Sequence, residues 1–139
     1  MQNSQIRRIC RQSDILSDRR SVFVVDDDPS MLRGIKRLLR AHGFHSMLFA
    51  SPSAMLTHDD FEDALCFVLD IDLNGESGFE LCQCLVSKGI RLPVIYITGN
   101  DSDANRAAAI ESGCIAYLTK PFTALSLIKP IESVRAAAA

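Results

Sequence analysis

Short apolar runs alternate with amphipathic stretches five times along this chain, and this alternation constrains the fold more than any other feature. The runs are Val22-Phe23-Val24-Val25, Phe44 to Phe49, Leu65 to Leu69, Leu92 to Ile97 and Ile115 to Leu118. Strands alternating with helices predict a parallel sheet covered on both faces, because each parallel crossover needs an element to carry the chain back. The pattern gives five βα units and no internal repeat. It divides the 139 residues into a polar, Arg-rich tail over 1–20, one domain over 21–135, and an alanine tail over 136–139.

Helix signals stand where the alternation requires them. Asp28-Pro29 reads as an N-cap with proline at the first helical position. Met31, Ile35, Leu38, Leu39 and His42 are expected on the inner face of that helix, and Gly43 ends it. Ser51-Pro52 repeats the signal for a short second helix. Ser77 and Glu80 have capping-box spacing before a helix that Gly89 stops. A fourth helix is expected over Asp103 to Ser112, and Thr123 caps a last one facing inward with Leu125, Ile128 and Ile131. Pro130 falls inside that last helix and predicts a kink or an early end near Lys129, since proline removes a hydrogen bond and clashes with the carbonyl of Ser126.

Composition excludes several classes. A net charge of -2 makes nucleic acid no obligatory partner, and no apolar run approaches the ~18 residues of a membrane helix. Arg7, Arg8, Arg11, Arg19 and Arg20 lack the apolar segment of an export signal, twin-arginine signals included, so the chain is expected in the cytoplasm. Cys10, Cys66, Cys82, Cys84 and Cys114 are odd in number and lack metal-site spacing, which favours buried free thiols.

Polar residues close the strands in a telling order: Asp26-Asp27, then Asp70, then Thr98, then Lys120-Pro121. Strand ends of a parallel sheet meet at one edge, where ligands bind. Three carboxylates, a hydroxyl and an ammonium gathered there suit a divalent metal and a phosphoryl group. Mg²⁺ takes a few carboxylate ligands and completes its shell with water or phosphate. Asp27 and Asp70 are candidate direct ligands, with Asp26 direct or acting through water. A carboxylate can also act as a nucleophile and form an aspartyl-phosphate. Lys120 and Thr98 would each serve one phosphoryl oxygen. Singly, each residue has a plainer reading as a cap or loop residue, which is the role assigned to Asp28. The ordered set, each member at a strand end, is what points to phosphoryl chemistry.

That set resembles the receiver domain of bacterial two-component response regulators, the CheY-like family. The resemblance is carried by Val22-Phe23-Val24-Val25-Asp26-Asp27, Val68-Leu69-Asp70 with Gly78 following, Ile95-Tyr96-Ile97-Thr98-Gly99, and Ala116-Tyr117-Leu118-Thr119-Lys120-Pro121-Phe122. It implies a flavodoxin-like (βα)5 doubly wound sheet of strand order 2-1-3-4-5. It implies that Asp70 takes a phosphoryl group from a sensor histidine kinase with Mg²⁺ held by Asp26, Asp27, Asp70 and the backbone carbonyl of Asp72. Thr98 and Lys120 would bind the phosphoryl oxygens. Tyr117 occupies the aromatic switch position coupled to Thr98, and acts on an output surface formed by the fourth helix, fifth strand and last helix. The Lys120–Pro121 bond would be cis. Such a protein is a signalling phosphoacceptor, with only self-phosphorylation and self-dephosphorylation as chemistry.

This chain departs from the common pattern in having Leu73-Asn74-Gly75 where Met-Pro is frequent, an extra carboxylate at Asp72, and Pro130. Asn-Gly favours a tight turn, so the loop is expected to form. Asp72 is expected to alter the lifetime of the phosphorylated state. Asp70-Ile71-Asp72 also resembles the nucleophile motif of haloacid-dehalogenase-type phosphatases, but those enzymes place the nucleophile in the first strand and the acidic pair last. A phosphorylation-independent docking module is disfavoured by the intact polar set, and a flavodoxin by the missing phosphate loop. The output partner, whether a phosphorylation-linked homodimer or another protein, is not written in the sequence. Direct nucleic-acid or membrane binding by this domain is not expected. The Thr98 and Lys120 segments look most like receivers of the nitrogen-fixation transcription-regulator type.

Overall fold

A computed structural model describes residues 20–138. The tail expected over 1–20 therefore lies outside the described residues except for Arg20, as do Cys10 and Ala139. Five strands form the main sheet: β1 (Ser21–Val25), β2 (His45–Phe49), β3 (Ala64–Asp70), β4 (Val94–Thr98) and β5 (Ala116–Thr119). Every pairing is parallel, and the strand order is β2-β1-β3-β4-β5. This is the expected doubly wound, flavodoxin-like arrangement. β3 is buried along its whole length, as a central strand covered on both faces must be.

The crossovers are α1 (Pro29–Ala41), α2 (Pro52–Leu56), α3 (Gly78–Ser87), α4 (Asp103–Glu111) and α5 (Ala124–Ala138). Alternate strand residues feed two cores. Val22, Val24, Val68, Ile95 and Ile97 pack with Leu32, Ile35 and Leu39 of α1 and Leu127, Ile128 and Ile131 of α5. Phe23, Val25, Phe67, Leu69 and Tyr96 pack with Met55 of α2, Leu81 and Leu85 of α3 and Ala109 of α4. Among the described residues, two helices thus cover one face and three the other.

Local chemistry sets the helix starts. The Asp28 carboxylate accepts from the Ser30 N–H, the Ser51 hydroxyl from Ala54, the Ser77 hydroxyl from Phe79 and the Ser102 hydroxyl from Asn105. Each satisfies an amide that the first helical turn leaves without a partner. A two-residue hairpin pairs Asp72–Leu73 with Glu76–Ser77 between β3 and α3. Its turn is Asn74-Gly75, with φ of 54° and 91°. Positive φ at both central residues is the turn that Asn-Gly favours.

Four expectations require correction. Of the kink or early end expected near Lys129, the early end is overturned: α5 runs through Pro130 to Ala138. Leu127, Ile128 and Ile131 are buried on both sides of the proline, and burying three such side chains outweighs a proline cost of ~3 kcal/mol. Leu125 is not an inner residue; it is 55% exposed, and Leu127 takes the buried place. On α1 the buried residues include Leu32, while Met31 and Leu38 pack only at the margin. The described cysteines are free, as expected, but only Cys66 is buried; Cys82 and Cys114 are partly covered and Cys84 is exposed.

Candidate functional site

The sheet order reverses direction at β1, and the C-terminal ends of β1 and β3 flank that switch point, where ligands of open α/β sheets bind. Asp26 directly follows β1, Asp70 ends β3, Thr98 ends β4 and Lys120 directly follows β5. Backbone bonds hold these ends together just past the ladders. The Asp26 N–H donates to the Phe49 carbonyl at 3.2 Å, Ile71 N–H to Ile97 at 2.9 Å and Lys120 N–H to Thr98 at 2.8 Å. The four side chains therefore sit on the rigid rim of the sheet.

Lys120 Nζ donates to Asp26 Oδ2 at 2.8 Å and to Asp70 Oδ2 at 2.9 Å. The second oxygen of each carboxylate is also engaged. Asp26 Oδ1 accepts the Asp28 N–H at 2.9 Å, and Asp70 Oδ1 accepts the Asp72 N–H at 3.0 Å. Asp26 and Thr98 are fully buried and Asp70 is 3% exposed. Carboxylates this deep need partners, because an isolated buried charge is costly. The Thr98 hydroxyl oxygen accepts the Asn100 N–H at 2.9 Å, which leaves its own proton free to donate. The Lys120–Pro121 peptide bond is cis.

Burial pushes the Asp70 carboxyl above its usual range, and the nearby Asp26 charge works in the same direction. Hydrogen bonds from Lys120 and the Asp72 amide oppose that rise without cancelling it. Burial alone would lower Lys120, but its bonds to Asp26 and Asp70 raise it overall, so it remains an ammonium. The site is thus a poised set of charges: two buried carboxylates share one cation.

Carboxylate oxygens of Asp26, Asp27 and Asp70 lie within 4.8 Å of one another. Asp26 and Asp70 are buried while Asp27 is exposed, so the cluster opens to solvent on one side. An all-oxygen donor set with an open side fits Mg²⁺, which keeps several of its waters. Asp72, on the hairpin, is exposed and reaches the site through its backbone N–H.

Gly78 supports the site by being small. A Cβ there would run into the backbone carbonyl of Asp70 and come within 3.2 Å of Ile71 Cα. The Gly78 N–H donates to the Ile71 carbonyl at 2.9 Å, so the start of α3 is clamped against the segment carrying Asp70.

Tyr117 sits in register with Tyr96 on β4, on the sheet face that α3 and α4 cover. Its hydroxyl donates to Asp101 Oδ1 at 2.9 Å. Arg106 Nε and Nη2 donate to Asp101 Oδ1 and Oδ2, both at 2.9 Å, and the guanidinium carbon lies 5.2 Å from the Tyr117 ring centroid. Sequence reasoning missed Asp101 and Arg106. They lie five residues apart across a helix start, a spacing with no motif to announce it.

A family model for the response regulator receiver domain matches residues 22–132. The chain belongs to this family. Sensory transduction protein RegX3 of Mycobacterium bovis is 34% identical over 114 residues, covering 82% of this chain and 50% of RegX3. The solved structure of response regulator StyR is 36% identical with a TM-score of 0.77, covering 86% of this chain and 61% of StyR. FixJ-N is 27% identical with a TM-score of 0.72, covering 83% of this chain and 92% of FixJ-N. The chain spans about half the length of the curated relatives it matches. It is a receiver domain of the two-component signalling type, and among its described residues no helix is long and apolar enough to cross a membrane.

Proposed function

We propose that this receiver accepts a phosphoryl group on Asp70 from the phosphohistidine of a sensor histidine kinase. The observation that carries the proposal is Lys120 bridging Asp26 and Asp70 on the strand rim. An Asp70 carboxylate oxygen attacks phosphorus, the P–N bond breaks and the imidazole leaves. Such transfer needs positioning and charge stabilisation more than covalent help. Asp70 is already oriented by the Asp72 amide. Lys120 moves its ammonium from Asp70 Oδ2 to a phosphoryl oxygen, keeping Asp26 as its anchor. Thr98 turns its free proton to a second phosphoryl oxygen. Asp26, Asp27, Asp70 and the Asp72 backbone carbonyl would hold Mg²⁺. When bound, the ion supplies positive charge against the phosphoryl oxygens.

Tyr117 is the proposed switch residue. A dianion on Asp70 draws Thr98 toward it and frees space on the face that Tyr117 shares, so a local charge change biases the surface of α4, β5 and α5. A downstream partner or a second copy of the chain would read that surface. The cytoplasm is where a sensor kinase could reach it.

Incubation with acetyl phosphate and Mg²⁺ followed by intact mass tests this reading. One added phosphoryl group, absent in Asp70→Asn and without Mg²⁺, is the expected result. No gain together with no donor consumption would overturn it, and sustained donor turnover at full rate in Asp70→Asn would do the same.

A further inference from the structure

Tyr117 needs two positions to act as a switch, and one of them is held by named contacts. Three segments meet there: the loop between β4 and α4 supplies Asp101, α4 supplies Arg106 and β5 supplies Tyr117. The loop is itself tied down. Asn100 bonds the Thr98 hydroxyl through its N–H and accepts from the Asn105 side-chain amide at 2.9 Å through its carbonyl. Asp101 is thus three residues from Thr98 on a braced turn, and its Oδ1 takes both the Tyr117 hydroxyl and Arg106 Nε. Arg106 holds the carboxylate with two parallel bonds, the planar arrangement for which guanidinium is suited. It also covers the tyrosine ring at cation–π distance.

We propose that Asp101 and Arg106 form a clasp that holds Tyr117 outward, making Asp101 a positioning residue that sets how readily the receiver takes up a phosphoryl group at Asp70. The proposal rests on the phosphoacceptor reading given above. The clasp contacts exist with Tyr117 outward and are lost when it turns in, so they stabilise one state only. A contact that differs between two states shifts their populations, and the coupling to binding is reciprocal. What the clasp contributes to the resting state is therefore subtracted from phosphoryl uptake. Burial and the Asp101 contact keep the Tyr117 phenol above its ordinary range, so it remains a donor at neutral pH. Arg106 and Asp101 side chains are 54% and 42% exposed, so the clasp is weak enough to open and sensitive to salt.

The test is a titration of the full chain with beryllofluoride and Mg²⁺, read by amide NMR, in the parent and in Asp101→Ala, Asp101→Asn, Tyr117→Phe and the double variant Asp101→Ala/Tyr117→Phe. Losing one hydrogen bond from the resting state is expected to tighten apparent affinity about two- to tenfold in Asp101→Ala. Asp101→Asn keeps an acceptor and is expected to fall between this variant and the parent. In the Tyr117→Phe background, Asp101→Ala should tighten affinity clearly less, because the hydroxyl bond is already gone and only the Arg106 contact with the ring is left to lose. Unchanged or weaker affinity in Asp101→Ala overturns the clasp, as does equal tightening in the Tyr117→Phe background. A second readout needs no ligand: nuclear Overhauser contacts between the Tyr117 ring and the Thr98 methyl should grow in Asp101→Ala, and their absence overturns the clasp. If the parent binds no better than Asp70→Asn, the phosphoacceptor reading fails, and the ring contacts alone decide the clasp.

Discussion

Replacing Gly78 with alanine adds one methyl group, and the structure says where it goes. It meets the Asp70 carbonyl oxygen and carbon and Ile71 Cα, all of them backbone. A flexible side chain could swing aside, but this segment is fixed by the β3–β4 ladder and the Ile71 N–H bond to Ile97. The start of α3 must move instead. Overpacking of this kind costs about 1–3 kcal/mol. Displacing α3 also weakens the Gly78 N–H bond to the Ile71 carbonyl, about 1 kcal/mol more, and the helix propensity gained by alanine offsets less than about 1 kcal/mol. The net expectation is a loss of about 1–4 kcal/mol, which lowers Tm by about 4–16 °C for a domain of this size. Urea unfolding should show a lower midpoint with an unchanged slope. Gly34→Ala is the opposing control. Gly34 lies in α1 with nothing within 4 Å of its added Cβ, so stability should rise by about 0.5–1 kcal/mol. A Gly78→Ala loss under about 0.5 kcal/mol would refute the close-approach argument. Phosphorylation of Gly78→Ala should also slow, since the strain falls on the backbone of Asp70, the proposed phosphoacceptor.

Lys120→Met should cost about 2–4 kcal/mol in urea unfolding, below the top of the range for buried pairs because the Lys120 side chain keeps 19% of its surface. Added Mg²⁺ should restore more stability to this variant than to the parent, and equal gains would contradict the shared-cation picture. Because the folded state raises Lys120, its contribution is present below the ordinary lysine value of about 10.4 and is lost as pH rises through the folded value. The parent should therefore soften above about pH 10 by more than Lys120→Met does, measured as urea midpoints across that range. Tyr96 is wholly buried, and its hydroxyl lies near Cys82 and Ser112 without hydrogen-bond geometry to any described residue. Tyr96→Phe should leave stability unchanged or raise it by up to about 1 kcal/mol in thermal unfolding; a loss above that would mean the hydroxyl is satisfied. Ile128→Ala should cost about 2–5 kcal/mol, whereas Leu125→Ala, at a 55% exposed position, should stay within about 0.5 kcal/mol.

Strand identity and the placement of polar residues at the strand ends were readable because they obey local rules. A run such as Cys66-Phe67-Val68-Leu69 has no reading as a half-exposed helix, and β3 is buried throughout. Asp28-Pro29 and Ser51-Pro52 marked helix starts through their own hydrogen bonds. Where the reading failed, tertiary context had overridden a local rule. Pro130 breaks an isolated helix, but α5 is held by Ile128 and Ile131 against the sheet, which no local pattern weighs. The sequence pattern puts Leu125 on the inner face of α5 where the structure has Leu127, because the apolar positions Leu125, Leu127 and Ile128 fit more than one helical stripe. The pairing of Asp101 with Tyr117 spans 16 residues and two elements. Only the fold brings them together. The same holds for Gly78, whose presence could be noted but whose contact with the Asp70 carbonyl needs the packing of α3.

The most direct test of the central claim is to trap the modified side chain. After acetyl phosphate and Mg²⁺, borohydride reduction converts an aspartyl-phosphate to homoserine, which peptide mass spectrometry locates by residue. The account predicts conversion at Asp70 alone. Conversion at Asp26, Asp27 or Asp72 instead, or none at any residue while the intact protein carries the added phosphoryl mass, would contradict it.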